Sequence, residues 1–211
     1  MAQRRFRRRK DARPGEITAA AAALFAEKGY AATRVDDVAR RAGVSKGLMY
    51  LYFRTKEELL KSVIRSFIEP RIEALRQRIE EPELSAEEFL RGPFLQFIRA
   101  LPNSPVHVIV KLMVTEGPRH PELVAYYWNN VVSLGLDTLR RLLQRGVDNG
   151  EFRSSALQEF PHLMIAPVLF AVLYSSLFGK HEKLDTDRMF AEHVGILIES
   201  LKRDPRRGDT G

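Results

Sequence analysis

The chain has 211 residues, 45 % of them apolar, with 34 basic against 27 acidic side chains and no cysteine; that is long enough for one small module plus a helical body with its own core. Disulfides and thiolate metal sites are excluded, and the charged N-terminus lacks the apolar run of a secretory signal, so a reducing cytoplasm is the expected location. Residues 1–60 hold 14 Lys and Arg against 7 Asp and Glu, and residues 61–211 hold 20 against 20, so the whole net charge of +7 lies in the head, as expected of a protein that meets a phosphate backbone with one end.

The first stretch, Arg4-Arg5-Phe6-Arg7-Arg8-Arg9-Lys10, repels itself and lacks core-forming residues, which predicts a disordered arm over 1–12. Such an arm either follows phosphates or a minor groove, or is a solvated tail. A first helix is predicted from Pro14 to Lys28, with Ile17, Ala21, Leu24 and Phe25 on its core stripe and a stop at Gly29. Thr33 followed by Asp36 then reads as a capped start, Val35, Val38, Ala39 and Ala42 as an inward face, and Gly43 as a turn requiring positive φ. Ser45 is the N-cap candidate of the next helix, Lys46 to Phe53. Met49 and Phe53 share its inner side, leaving Lys46, Gly47, Tyr50 and Leu51 opposite, a mixed surface that suits a major groove. Thr55-Lys56-Glu57-Glu58 is a capping box for a fourth helix running toward Glu80, with a break expected near Pro70. The whole run spells a helix-turn-helix. A glycine corner alone also occurs in helical proteins that never meet DNA, but here the caps, turn, aromatic cluster and capping box agree in order and spacing.

Farther on, Ser85-Ala86-Glu87-Glu88 opens a helix interrupted by Gly92-Pro93, a shorter helix spans Pro105 to Glu116, and Gly117-Pro118-Arg119-His120-Pro121 is a turn. A long helix, Glu122 to Asn149, is stopped by Gly150. Two helices remain, Gln158 to Phe178 and Thr186 to Lys202. The first is apolar nearly all round yet too interrupted by Pro161 and Pro167 for a membrane span, so it should be covered by its own core on one side and a second subunit on the other.

The stretch from Ile17 to Leu60 closely resembles the DNA-binding domain of the TetR family of bacterial repressors. The similar features are Leu24-Phe25-Ala26-Glu27-Lys28-Gly29-Tyr30, the Thr33 start, Val44-Ser45-Lys46-Gly47, Tyr50-Leu51-Tyr52-Phe53 and Lys56-Glu57-Glu58-Leu59-Leu60. The resemblance implies phosphate contacts at Thr33, Arg34, Ser45, Tyr50, Tyr52 and Lys56, and groove-facing base readers at Lys46, Gly47, Leu48 and Leu51. Leu48 and Leu51 depart from the residues common at their places in the family. It further implies an all-α fold: a helix-turn-helix domain over 13–58 (motif 34–53), a helical effector-binding and dimerisation domain over 59–203, and a disordered tail over 204–211.

The double-proline turn and the Gly150-Glu151-Phe152 exit look like those of drug-responsive relatives. The implied protein is a homodimeric regulator, most simply a repressor freed from a pseudo-palindromic operator by a small hydrophobic or aromatic effector. The effector is expected against Phe67, Phe94, Phe97, Met113, Tyr127 and Phe170. The expected dimer interface is Leu163, Pro167, Ala171, Tyr174, Phe178, Phe190, Val194 and Leu197. No cofactor or metal is implied, since His107, His120, His162, His181 and His193 lack ligand spacing and no nucleophile elbow, phosphate loop or dinucleotide motif occurs. A constitutive or structural helix-turn-helix binder would need no effector. A partner-binding helical module would lack salt-dependent DNA affinity, and an enzyme would need a convergent polar site.

Overall fold

The computed structural model describes residues 2–202 apart from Pro82, with side chains from Arg13 onward. The tail over 204–211 lies outside the described residues. Those described are helical throughout, and their one β feature is an isolated antiparallel bridge between Phe152 and Lys202. By packing, the chain forms two units, one of residues 1–70 and 105–129, the other of 71–104 and 130–211. Residues 105–129 thus pack with the head, although in sequence they fall inside the expected effector domain.

In the first unit α1 spans Ala2–Ala32, α2 Val35–Arg41, α3 Lys46–Tyr52 and α4 Lys56–Phe67. The backbone over 2–12 continues α1, where a separate disordered arm was expected; arginine and lysine are good helix formers, and the first proline comes only at Pro14. The helical path is broken at Gly29, whose φ of 79° suits glycine alone. Alanines allow α4 close against α1, and a buried hydrogen bond of 3.0 Å joins the hydroxyls of Thr18 and Ser62 across that seam; Ile17, Ala21 and Phe25 of α1 and Leu59 and Val63 of α4 are buried as well. The unit is completed by α8 (Val106–Glu116), a 3-10 turn over Gly117–Arg119, and α9 (Pro121–Tyr127). Their Ile109, Leu112 and Leu123 are buried. The Tyr126 hydroxyl of α9 donates to Glu69 at 2.9 Å.

The second unit begins at Arg71, within α5 (Glu69–Ile79), the helix that follows the break expected near Pro70. α6 (Ala86–Phe89) is opened by a full capping box of Ser85 and Glu88, and the Glu151 carboxylate takes the Ala86 N–H at 2.6 Å. The interruption expected at Gly92-Pro93 takes the form of a π-helical turn over Leu90–Phe94, which carries the chain into α7 (Leu95–Ala100), since a wider turn accommodates a ring that cannot donate. A second π turn, Trp128–Val132, leads into α10 (Ser133–Asp148). That helix ends at Gly150, φ 75°. The following Phe152 ring covers Gly146, where a Cβ would lie 2.3 Å from it.

The last helices are α11 (His162–Phe178) and α12 (Thr186–Leu201). Met164, Val168, Ala171 and Val172 form the inner stripe of α11 and meet Phe190, Val194, Leu197 and Ile198 of α12 in one core. Ala171, Phe190, Val194 and Leu197 are therefore intramolecular core, a correction to the expected interface. A helix without a polar face gives no periodic sign of which side turns inward. The outer stripe of α11 is Leu163, Phe170, Leu177 and Phe178, exposed, with Pro167 and Tyr174 half-buried between them. Ile196 is exposed on α12.

Candidate nucleic-acid interface

The turn between α2 and α3 is closed by two backbone bonds. The Gly43 N–H reaches the Arg40 carbonyl at 3.2 Å and the Val44 N–H reaches Ala39 at 3.0 Å, a Schellman arrangement that needs the φ of 64° at Gly43. Ser45 then starts α3, its hydroxyl accepting from the Leu48 N–H at 3.2 Å. Met49 is fully buried beneath. The reading helix is thereby anchored by a cap at one end and an inward methionine at its centre.

Its outer face presents Lys46, Gly47, Tyr50 and Leu51, all exposed, Leu51 at 70 %. Open space surrounds Gly47, so a partner's atoms can approach its backbone. Leu48 and Tyr52 are half-buried at the edges of this face. Arg34, exposed, is the N-cap residue of α2. These eight, counting Ser45, lie in α3 or at the starts of α2 and α3.

Two expected phosphate contacts lie elsewhere. Thr33 is 2 % exposed, and its hydroxyl donates to the carbonyls of Gly29 at 2.6 Å and Leu24 at 3.3 Å. It ties off the end of α1, leaving α2 without the side-chain cap expected from Thr33. Lys56 is half-buried, and its ammonium donates to the carbonyls of Tyr30 at 2.8 Å and Ala31 at 3.2 Å while lying 4.3 Å above the Tyr30 ring. Here the ammonium serves the negative C-terminal end of α1. Burial holds its pKa below the ordinary lysine value. Tyr30 is also buried and donates to Glu57 at 3.2 Å, while the His120 ring meets it edge-on at 5.5 Å. Burial foremost, and Glu57 next, raise the phenol's pKa.

The rest of the face is threaded with ion pairs. Glu27 holds Arg41 at 2.7 Å, Asp37 holds Lys28 at 2.7 Å and also Arg40, and Asp36 holds Lys46 at 2.9 Å. Asp36 was missed in the sequence as anything beyond a helix-start carboxylate. It stands ten residues before Lys46, and only the turn geometry brings the two together.

The six residues expected to bind an effector are divided between the units. Phe67, Met113 and Tyr127 are half-buried in the first, and burial pushes the Tyr127 phenol up to about 12. In the second unit Phe97 is half-buried, Phe94 is fully buried core, and Phe170 points outward on α11. Phe94 and Phe170 therefore face opposite environments. A cleft of about 450 Å³ in that unit is lined by Arg76, Ile79, Glu80, Leu84, Thr138, Arg141, Arg145 and Asn149, a polar set that includes none of the six. Among the described residues no group of three or more His, Asp or Glu is arranged to hold a metal, and no helix is long and apolar enough to cross a membrane.

Residues 17–63 match the family model of bacterial regulatory proteins, tetR family. Over 198 residues the chain is 29 % identical to the HTH-type transcriptional regulator YfiR of Bacillus subtilis, covering 91 % of this chain and 93 % of that one. It is 30 % identical over 145 residues to the HTH-type transcriptional repressor KstR2 of Mycolicibacterium smegmatis, covering 67 % and 68 %. Among solved structures it is similar to SmeT in its triclosan complex, with a TM-score of 0.77 and 20 % identity over 95 % of this chain and 96 % of that one. SmeT is described as the repressor of the Stenotrophomonas maltophilia multidrug efflux pump SmeDEF.

Proposed function

The chain belongs to the TetR family of bacterial regulatory proteins and is a DNA-binding transcriptional regulator rather than an enzyme, and from that premise we propose that it is a cytoplasmic repressor released from a pseudo-palindromic operator by a small hydrophobic ligand. The observation that carries this is the exposed outer face of α3, whose Lys46, Gly47, Tyr50 and Leu51 offer a cation, bare backbone, a phenol and an apolar tip on a helix of groove-compatible width. Arg34, Ser45, Tyr50 and Tyr52 grip phosphates, and Lys46, Gly47, Leu48 and Leu51 read bases.

A second copy covers the outer stripe of α11, with Leu163, Phe170, Tyr174 and Phe178 as its centre, because five exposed large apolar side chains on one helix, Leu169 and Leu177 among them, leave more oily surface than isolated ones do. A twofold pair presents two reading helices to two half-sites. The effector is apolar or aromatic, of the drug type, and contacts Phe67, Met113 and Tyr127, three half-buried groups in the unit that also carries α3. The family membership supports such a ligand, as does the triclosan bound by the SmeT fold relative.

Footprinting the purified protein on the DNA that flanks its own gene tests the operator. The expected result is two protected half-sites about one helical turn apart, or a multiple of that distance. A panel of apolar drugs should then contain one that weakens operator binding, and operator DNA should weaken that compound's binding by the same factor, typically about 5 to 150 fold. No protected site would overturn the operator reading. A protected site that no compound releases would make the protein a constitutive binder.

A further inference from the structure

We infer that Asp36 is a specificity-determining residue of the DNA interface: it keeps Lys46 from acting as a free phosphate clamp and holds it for use on a matching sequence. The inference rests on the DNA-binding reading above. Lys46 is the first residue of α3, and its ammonium is already engaged at the surface. It donates to Asp36 Oδ2 at 2.9 Å and lies 5.9 Å from the centre of the Tyr50 ring. Asp36 sits in the first turn of α2, the helix before the Gly43 turn. Both partners are open to water, at 65 % and 53 %, so the pair stands on the surface that meets DNA. The carboxylate also raises the pKa of Lys46, which stays charged.

A lysine bound to its own carboxylate is a poor general phosphate ligand. Moving to a phosphate would abandon Asp36 beside the polyanion, and the locus carries no net charge with which to displace condensed cations. A base edge in the groove is different. Lys46 can donate there with its remaining protons while Asp36 keeps one, and the pair fixes where the ammonium points. Asp36 thus lowers the affinity for every wrong sequence and aims the lysine at the right one. The pairing recurs nearby in the chain, since Arg41 of α2 and Lys28 of α1 are held by Glu27 and Asp37.

The structural alternative is that Asp36 only offsets the unfavourable charge of Lys46 at a helix start. A salt titration separates the two. Binding of a random-sequence duplex is measured against potassium chloride for four forms of the full chain: unaltered, D36N, K46M and D36N/K46M. If Asp36 restrains Lys46, D36N steepens the slope of log affinity against log salt by about 0.9, one phosphate contact. The added affinity should fall about 3.5-fold between 50 and 200 mM salt. In the K46M background the same change should have no effect, because there is no ammonium to release. Steepening in both backgrounds, or in neither, would overturn the assignment.

A second arm uses the duplex that unaltered protein selects from a randomised pool. The preference of D36N for that duplex over the random one should fall by at least the factor that random binding gains. An unchanged preference would refute the aiming role. A pool without any enriched duplex would count against the operator reading instead, leaving the salt arm to decide about Asp36.

Discussion

Phe170→Ala is the sharpest test of the proposed self-association. The side chain is 51 % exposed in the single chain, and a phenylalanine has on the order of 200 Å² to bury, so about 100 Å² of ring remains for a partner. At about 25 cal/mol per Å² this gives ~2.5 kcal/mol per copy and ~5 kcal/mol in a twofold pair. Alanine keeps a methyl group in the seam, so the net loss is expected near 3 to 4 kcal/mol, or about 100- to 1,000-fold in dissociation constant. Sedimentation over a protein concentration series reads that shift directly. The folded chain itself should be largely spared, because half of Phe170 faces solvent and its ring lies 5.5 Å, centre to centre, from Tyr174 of the same outer stripe. Ala171→Arg is the contrast: Ala171 is fully buried, so a charge there should unfold the unit rather than separate a pair of intact chains. An unaltered dissociation constant for Phe170→Ala, or a monomeric native protein at micromolar concentration, would refute the reasoning.

Lys56→Met should lower the unfolding free energy by roughly 1 to 3 kcal/mol, because two carbonyls at the end of α1 lose a charged donor; its salt slope on DNA should be unchanged, and a slope about 0.9 shallower would return Lys56 to the phosphates. Gly146→Ala forces the Phe152 ring aside, since the added carbon would sit 2.3 Å from it, and urea unfolding should show a loss of about 1 to 3 kcal/mol. For His193, burial holds the imidazole pKa below its ordinary value of 6.5, so the unfolded chain takes the proton first. Stability is full above about pH 6.5 and declines as pH falls from there toward the lower folded-state value; urea midpoints at pH 7.5 and 5.5 should differ, and less so for His193→Gln.

Capped ends were the readable part of this fold. Ser45, Thr55 and Ser85 do accept the N–H three residues on, and Gly29, Gly43 and Gly150 all adopt positive φ, because caps and left-handed turns depend on a few adjacent residues. The inward side of α3 was equally plain, since Met49 is the sole buried side chain of that helix. What stayed hidden depends on distant neighbours. Lys56 looked like a surface group in sequence, yet the end of α1 offers it carbonyls 25 and 26 residues away, and Thr33 turns back to the carbonyls of Gly29 and Leu24 instead of capping α2. The two sides of α11 could not be told apart while both were apolar. Likewise, no local pattern announces that residues 105–129 join the first 70.

The ion pairs across α1, α2 and α3 have a practical consequence for the chain's stickiness. Six of the 34 basic residues and one of the 27 acidic residues lie in residues 1–12, leaving 28 against 26 in the remainder. A form clipped after residue 12 therefore falls from +7 to +2 while retaining the whole helix-turn-helix. On a heparin column it should elute far ahead of the intact chain, and nucleic acid carried through purification should fall away with the lost segment. If the arm supplies the general adhesion to polyanions and the helix-turn-helix the choice of sequence, the clipped form should still prefer its selected duplex over a random one, and a proteolytic nick would separate the two properties.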